Sequence, residues 1–326
     1  MSPPDAGPSG PDHPRPIDSS EVPRFAQLAT FMRTPAVASA EGLDIALCGV
    51  PFDLGSTNRA GPRHGPAQIR EMSRLIRLVH PASGIAPFEL CRVADIGDAV
   101  TNPLDLMASL DQIEAFFAAI HSAGAAPLAA GGDHTITLPI LRAIAAERPV
   151  GIVQFDAHAD TLDTLLGSKY NHGTPFRRAV EEGLIEPERT IQIGIRGSRY
   201  GDADVAFSYE VGMRVVTIDE FFELGAGGVA AEIGRVVGEG PVYVTFDIDG
   251  LDPVYAPGTG APEIGGFTTR DAQVMLRGLK GLNLVGGDVN EVSPPLDPSG
   301  GTALVAANLM FEILCVLADA VAGRRA

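Results

Sequence analysis

Residues 156–160 place acidic and imidazole side chains at the spacing of an extended chain. Asp156, His158 and Asp160 follow an apolar run at 149–155, which is typical of a buried parallel strand. Alternate residues of an extended chain point to one face, so the three side chains can converge. Two carboxylates and an imidazole suit a divalent ion such as manganese or nickel. Taken alone, the same residues could instead be a hydrogen-bonded structural histidine and a helix-capping aspartate.

Two further strand ends supply the same kinds of side chain. A predicted strand at 126–130 is followed by Gly-Gly-Asp-His, which ends at His134, and a strand at 242–246 is followed by Asp247-Ile248-Asp249. Ligands of open α/β sheets bind beyond the carboxyl ends of the strands, where these segments can meet. Two imidazoles and four carboxylates exceed the needs of one ion and suit two ions that share bridging carboxylates. The predicted metal ligands are His134, Asp156, His158, Asp160, Asp247 and Asp249.

The elements that must position these ligands alternate along the chain. Strand-like runs lie at 44–50, 92–97, 126–130, 150–155, 190–195, 213–218, 241–247 and 283–288. Helical patterns lie at 67–79, 104–123, 136–147, 173–183, 228–238, 269–280 and 302–322. This alternation predicts an α/β fold: a single-domain, three-layer α-β-α structure with a mostly parallel, doubly wound sheet. We expect residues 1–22 to form a flexible arm and residues 23–326 to form the catalytic domain.

Composition excludes several classes of protein. With 45% hydrophobic and 20% charged residues, the 326-residue chain has the composition of a soluble globular protein. Its formal charge of −17 argues against a nucleic-acid partner, although the acidity could steer a cationic substrate or simply aid solubility. The apolar segment 302–322 is long enough to span a bilayer. It contains Asn308, Glu312 and Asp319, so we expect a buried helix or a subunit interface and no membrane contact.

The cysteines and the N-terminal residues bear on the compartment. Cys48, Cys91 and Cys315 lie in apolar contexts without CxxC spacing, which favours reduced packing residues. Residues 1–21 show no positively charged segment followed by an apolar one, so nothing there directs secretion. We therefore expect a cytoplasmic protein.

The three strand-end motifs together resemble those of the ureohydrolases, the arginase and agmatinase family. The similarity runs from about Pro23 to the C-terminus and includes the segment 246–253, followed by Ala-Pro-Gly-Thr-Gly at 256–260. Within the family the chain looks most similar to the guanidino-acid hydrolases, guanidinopropionase and guanidinobutyrase. The segments that carry this closer similarity are 24–25, 30–33, 58–61 and 262–266.

The resemblance implies a metal-dependent amidinohydrolase that cleaves a guanidino compound to urea and an amine. The expected substrate is a guanidino acid such as 3-guanidinopropionate or 4-guanidinobutyrate. Two Mn²⁺ ions per subunit are expected, and Ni²⁺ or Co²⁺ would also suit the ligands. The resemblance further implies a homo-oligomer, hexamer or trimer, while a hetero-oligomer stays open.

The resemblance also assigns roles to single residues. His134 and His158 would bind one ion each, Asp156 and Asp247 would bridge, Asp160 and Asp249 would complete the two ligand sets, and Asp160 would orient the hydroxide. His172 matches the proton-shuttling histidine of the family, and Glu291 matches the glutamate that pairs with the substrate guanidinium. From the residues alone, His172 could equally start a helix and Glu291 could be a surface charge.

The segment after Asp160 leaves the substrate tail open. Leu162 stands where many relatives carry Asn, which removes an amide that could hold a polar tail. We expect substrate contacts from Asn58, Arg59, Leu162, Leu165 and Asn171. Arg59 and Lys169 could hold a carboxylate, Asp163 could hold an amine, and the leucines could admit an alkylated guanidine or a biguanide.

Three other functions compete with hydrolysis of a guanidino acid. Agmatine or another guanidine compound could be the substrate. The chain could be a non-catalytic subunit of a hetero-oligomeric ureohydrolase. It could also be a metal-dependent amidohydrolase that acts on acylated amines.

Overall fold

A computed structural model of the chain describes residues 15–199, 201 and 203–325, and within them a single parallel sheet forms the centre of the molecule. Its eight strands are β1 (Ile45–Gly49), β2 (Val93–Asp98), β3 (Ala126–Ala130), β4 (Val150–Phe155), β5 (Ile185–Ile195), β6 (Arg214–Thr217), β7 (Val242–Asp247) and β8 (Leu284–Asn290). The strand order is β2-β1-β3-β8-β7-β4-β5-β6, and every neighbouring pair is parallel. The predicted parallel sheet is confirmed.

Helices cover both faces of this sheet. Those in the described residues are α1 (Gly65–Ser73), α2 (Pro87–Leu90), α3 (Leu106–Ser122), α4 (Thr137–Ile144), α5 (Pro175–Glu181), α6 (Ala203–Glu210), α7 (Ile218–Val237), α8 (Thr269–Arg277) and α9 (Gly301–Gly323). Successive strand residues face opposite layers. Ile45 and Leu47 of β1 pack in the cluster that contains α1, α7, α8 and α9, whereas Ala46 and Cys48 pack with α3, α4 and α5. The predicted three-layer α-β-α architecture is therefore confirmed.

Two helix boundaries differ by six residues or more from the sequence prediction. Helix α7 begins at Ile218 rather than near 228, because the Thr217 hydroxyl accepts a hydrogen bond from the Glu220 amide and caps an earlier start. Gly225 interrupts this helix with a φ of 69°, which explains why its first half carries no continuous helical pattern. Helix α1 ends at Ser73 rather than 79, where the Ser73 hydroxyl accepts a hydrogen bond from the Met32 amide.

Helix α9 lies inside the protein. It is long and apolar enough to cross a membrane, yet 78% of its most apolar window is buried in the fold. Its buried Glu312 forms an ion pair with Arg277 of α8, and the second oxygen of its carboxylate lies 2.9 Å from Nε2 of His80. The prediction of a buried helix is confirmed.

The first described residues contact the body of the protein. Arg15 pairs with Glu89, and the Ile17 amide donates to the carbonyl of Arg33 at 3.0 Å. Part of the predicted flexible arm, residues 1–14, lies outside the described residues. Residues 15–22 are held by contacts of this kind.

The strand order decides where the predicted ligands meet. Strands β3, β8, β7 and β4 are consecutive in the middle of the sheet. Ala130 pairs with Val289, Val289 with Phe246, and Phe246 with Phe155. The four strands therefore end at the same level, and the residues that follow them emerge side by side.

Candidate metal centre

One group of predicted ligands surrounds the imidazole of His134. Its Nδ1 atom lies 2.9 Å from Oδ2 of Asp160, 3.1 Å from Oδ2 of Asp156 and 3.3 Å from Oδ2 of Asp247. His134 and Asp156 are fully buried. Residues from the ends of β3, β4 and β7 thus converge on one small volume.

A second group surrounds His158. Its Nδ1 atom lies 3.1 Å from Oδ2 of Asp249 and 3.5 Å from Oδ1 of Asp156. Asp156 therefore belongs to both groups, with one oxygen toward His158 and the other toward His134. Among the described residues, two sets of three potential ligands have metal-site geometry: His134 with Asp156 and Asp160, and Asp156 with His158 and Asp249.

The electrostatics of the two groups favour bound cations. Burial raises the pKa of Asp247 and Asp249, and neighbouring carboxylates raise it further. Burial and the charge of Asp156 likewise raise the pKa of Asp160 to about 6. Burying a charged group costs a large free energy of desolvation unless the charge is paired or binds a metal ion. Four carboxylates carry the charge that two divalent cations would neutralise.

The hydrogen bonds of His134 leave one ring nitrogen suited to a metal. The Thr245 hydroxyl donates its single proton to Asp288 at 2.7 Å, so it can only accept from Nε2 of His134, 2.9 Å away. In the neutral ring, Nδ1 then carries the lone pair. This buried Nδ1 makes no hydrogen bond with any described residue. A metal ion between this lone pair and the three carboxylates would pair with all four groups, so the donor set fits a metal ion.

Sequence reasoning missed the residues that hold these ligands. The side-chain amide of Gln154 donates to Oδ2 of Asp156 at 2.8 Å, and Gln192 donates to Oε1 of the Gln154 side chain at 2.7 Å. Asp288 accepts hydrogen bonds from Thr137, Tyr243, Thr245 and Asn290. Their signal in the sequence is a polar residue inside an otherwise apolar, buried strand.

His172 and Glu291 lie next to the ligand groups. Nδ1 of His172 is 3.2 Å from Oε1 of Glu291, and Nε2 is 3.0 Å from the Thr57 hydroxyl. The same Oε1 accepts the backbone N–H of His134 at 2.9 Å. Burial lowers the pKa of His172, but the hydrogen bond and charge of Glu291 outweigh it and raise the pKa to about 9. His172 is therefore protonated at neutral pH.

Backbone strain is concentrated in this region. Asp160 and Glu291 adopt φ values of 54° and 60°, in the left-handed region that residues with a Cβ rarely occupy. Such conformations cost on the order of 1–3 kcal/mol each and persist where the surroundings determine them. Both residues were predicted as catalytic, and the strain is consistent with side chains held for a function.

A cavity of about 350 Å³ opens onto the two ligand groups. Of the predicted residues, Asp160, Leu162, Leu165 and His172 line it, together with His158, Asp247 and Asp249. Asn58, Arg59, Asn171 and Glu291 are absent from its described lining. Thr57, Arg199 and Glu263 line it as well and were not predicted.

Two polar residues near the cavity are occupied locally. The Asn171 side chain donates to the Ser168 carbonyl at 3.1 Å and accepts from the Gly173 amide at 3.0 Å. Asp163 pairs with Arg178 at 2.8 Å. Asn171 therefore stabilises its own loop, and the carboxylate of Asp163 already has a cation.

Comparisons with known proteins agree over most of the chain. A model of the arginase family matches residues 43–316, which include every predicted metal ligand. A guanidinopropionase from Pseudomonas aeruginosa is 58% identical over 95% of this chain and 98% of that protein. A guanidinobutyrase from the same organism is 49% identical over 93% of this chain and 96% of that protein. The solved structure of a proclavaminate amidino hydrolase from Streptomyces clavuligerus has a TM-score of 0.88 and 42% identity, covering 91% of this chain and 99% of that chain.

Proposed function

Because the chain belongs to the arginase family, we propose that it is a binuclear metal hydrolase that cleaves a guanidino acid to urea and an amine. The observation that carries the reaction class is the pair of ligand groups that share Asp156, beside the contact between His172 and Glu291. The similarity to a guanidinopropionase and a guanidinobutyrase supports 3-guanidinopropionate or 4-guanidinobutyrate as the substrate.

We propose that the two ligand groups hold two Mn²⁺ ions, for which Ni²⁺ or Co²⁺ could substitute. His134 and Asp160 would serve one ion, His158 and Asp249 the other, and Asp156 and Asp247 would bridge them. When bound, such ions supply Lewis acidity, which makes a water molecule acidic enough to act as a nucleophile near neutral pH.

The residues around the metal groups would then perform three tasks. Glu291 would pair with the guanidinium through charge-assisted hydrogen bonds and so place its carbon near the ligands. Asp160, which lines the cavity, would accept a hydrogen bond from the nucleophile and orient it. His172, protonated at neutral pH, would donate a proton to the departing nitrogen, since an unprotonated amine is a poor leaving group.

The proposed reaction balances with water as the only co-reactant. The oxygen of water forms a bond to the guanidinium carbon, and the bond from that carbon to the substituted nitrogen breaks. The departing nitrogen leaves as the amine of an amino acid, and the carbon leaves in urea.

The assembly is proposed to be a homo-oligomer, trimer or hexamer. The large apolar side chains of Phe25 and Leu28 are 85% and 72% exposed, which supports a contact between chains near the first described residues. Light scattering after size-exclusion chromatography measures the mass. A second subunit type would be needed only if the chain, purified alone with metal, released no urea.

A urea-release assay tests the proposed function. Protein reconstituted with Mn²⁺ or with Ni²⁺ would be tested with guanidinopropionate, guanidinobutyrate, agmatine and an alkylbiguanide, and metal content would be measured in parallel. We expect about two ions per subunit and urea release mainly from a guanidino acid. His172→Asn should lower kcat by about 100-fold or more. His121→Asn, at an exposed histidine of α3, is the matched control and should not change kcat. Two bound ions without urea release from any of these compounds would contradict the proposal.

A further inference from the structure

A guanidino acid carries opposite charges at its two ends. Its guanidinium is attracted to the carboxylates at the bottom of the cavity, so its carboxylate must meet the cavity wall some distance away. A cation at that position would recognise the tail. Among the described residues that line the cavity, Arg199 is the single lysine or arginine. We propose that Arg199 binds the substrate carboxylate and selects guanidino acids, an inference that rests on the proposed function.

The segment before Arg199 is fixed to one of the ligand loops. The amides of Arg196 and Gly197 both donate to the Ala157 carbonyl at 2.9 Å, between the ligands Asp156 and His158. A Cβ atom at Gly197 would lie 2.6 Å from Cδ2 of His158, so the backbone there packs directly against the imidazole. The chain leading to Arg199 therefore starts beside the second ligand group.

The guanidinium of Arg196 fixes the same segment to a second ligand loop. It donates to the carbonyls of Asp249 at 2.8 Å, Gly250 at 3.0 Å and Glu263 at 2.7 Å. The side-chain carboxylate of Glu263 in turn accepts a hydrogen bond from the Ser198 amide at 3.2 Å. These bonds hold the backbone up to Ser198 in a defined position relative to Asp249, so Arg199 projects from a stabilised rim.

The separation between Arg199 and the metal groups suits a short substrate. Two residues of extended chain span at most about 7 Å, so the Cα of Arg199 lies within that distance of the Cα of Gly197. Gly197 itself touches His158. A chain of two or three methylene groups separates the guanidino group from the carboxylate in guanidinopropionate and guanidinobutyrate. An arginine at this position can therefore contact the tail while the guanidinium reaches the ligand groups.

The charge of Arg199 is available for this contact. Arg199 is exposed, and it forms no ion pair or hydrogen bond with another described residue. The cations suggested by the sequence, Arg59 and Lys169, are absent from the described lining of the cavity. The amino group of agmatine would meet Arg199 with like charge, so the same residue would disfavour agmatine.

Substrates that differ only in the tail test this role. The variants are Arg199→Gln, which removes the charge, Arg199→Lys, which keeps it, and Arg270→Gln. Arg270 is an exposed arginine in the first turn of α8, outside the cavity lining, and serves as the matched control. Each Mn²⁺-loaded enzyme would be assayed with guanidinopropionate, agmatine and propylguanidine, which lacks the carboxylate.

For Arg199→Gln we expect kcat/KM with guanidinopropionate to fall about tenfold to a hundredfold, the value of a charge-assisted hydrogen bond. The kcat/KM of Arg199→Gln with propylguanidine should stay within about twofold of the native value. Arg199→Lys should recover part of the kcat/KM lost with guanidinopropionate. In Arg199→Gln, the ratio of kcat/KM for agmatine to kcat/KM for guanidinopropionate should rise. Arg270→Gln should have the same kcat/KM as the native enzyme with all three substrates. Equal losses with all three substrates, or no loss with guanidinopropionate, would overturn the role of Arg199.

A binding measurement separates this proposal from the proposed function. Calorimetry with guanidinopropionate on the Mn²⁺-loaded native protein and on Arg199→Gln measures tail binding without turnover. If no compound yields urea, the proposed function fails, and a Kd about tenfold weaker in Arg199→Gln would still support the carboxylate contact. An equal Kd for both proteins would reject the contact, whatever the activity.

Discussion

The hydroxyl of Thr245 lies 2.9 Å from Nε2 of His134 and at the same time donates to Asp288 at 2.7 Å. In the neutral imidazole, this chain of hydrogen bonds sets the orientation of the ring and its tautomer. Asp288, which is fully buried, is in turn held by three other donors. The nitrogen of His134 that faces the carboxylates is thus determined by Thr245, which contacts the ring, and by Asp288, which contacts Thr245.

Replacing Thr245 by valine should weaken metal binding. Valine keeps the shape of the side chain but cannot accept from Nε2, so the imidazole loses its orienting partner. Loss of such a partner typically lowers metal affinity by about 10–100-fold. Competition with a chelator measures the affinity. Thr245→Ser retains the hydroxyl and should remain near the native value; equal affinities for the valine and native proteins would refute the orienting role.

The shared position of Asp156 predicts unequal losses of metal among the ligands. Asp156→Asn should reduce occupancy at both groups, whereas Asp249→Asn should reduce it mainly at the group around His158. Metal analysis after dialysis should therefore give less than one ion per subunit for the first variant and about one for the second. Asp111→Asn, at an exposed carboxylate of α3, is the control and should keep both ions. Identical losses from Asp156→Asn and Asp249→Asn would contradict the sharing.

Leu162 should influence the choice of substrate tail. It lines the cavity, where its side chain would offer an apolar surface to a bound substrate. Leu162→Asn should lower kcat/KM for propylguanidine by about tenfold, since removal of an apolar contact of this size costs about 1–3 kcal/mol. Steady-state kinetics with propylguanidine and guanidinopropionate measure the change. Leu166→Asn, at a leucine that is 88% exposed, should leave both values unchanged. An unaltered ratio between the two substrates in Leu162→Asn would show that the tail does not contact Leu162.

Asp44 should make stability depend on pH far from the metal centre. Burial raises the pKa of this carboxyl, but hydrogen bonds from Arg325 and Arg92 outweigh it and hold the pKa well below its usual range. A folded pKa below the unfolded value of about 3.9 adds stability that is present above that pH and is lost as the pH falls below it. Asp44→Asn should therefore lower the free energy of unfolding by about 1–3 kcal/mol at pH 7.

Urea denaturation at a series of pH values tests this expectation. The difference between the native protein and Asp44→Asn should shrink as the pH falls below about 4, because the native carboxyl becomes protonated. Asp111→Asn again serves as the control and should show no comparable difference. A difference that is constant from pH 7 to pH 3 would rule out this charge as its source.

Several features of the metal centre follow from local patterns in the sequence. Each predicted ligand follows a buried apolar strand, and parallel strands present their carboxyl ends at one edge of the sheet. Strand alternation does not continue into the ligand segments, because β4 ends at Phe155, Asp160 has a φ of 54° and Asp249 lies in a 3₁₀ turn. The edge at which the ligands gather is therefore encoded locally, whereas the backbone of the loops decides which side chains face together. Helix boundaries were predicted less well, because the start of α7 depends on one capping hydroxyl and a glycine interrupts its pattern.

Other features depend on which strands become neighbours. Strand β8, late in the chain, lies between β3 and β7, and this brings Glu291 to the backbone of His134, 157 positions away. In the same way Thr245 reaches His134, and Arg199 reaches the cavity from the loop after β5. No local pattern encodes these contacts, since each depends on burial and pairing summed over the whole sheet. The sequence by itself determined the ligand types and the edge at which they gather. The tertiary structure decided that Asp156 is shared, which nitrogen of His134 faces the carboxylates, and which cation lines the cavity.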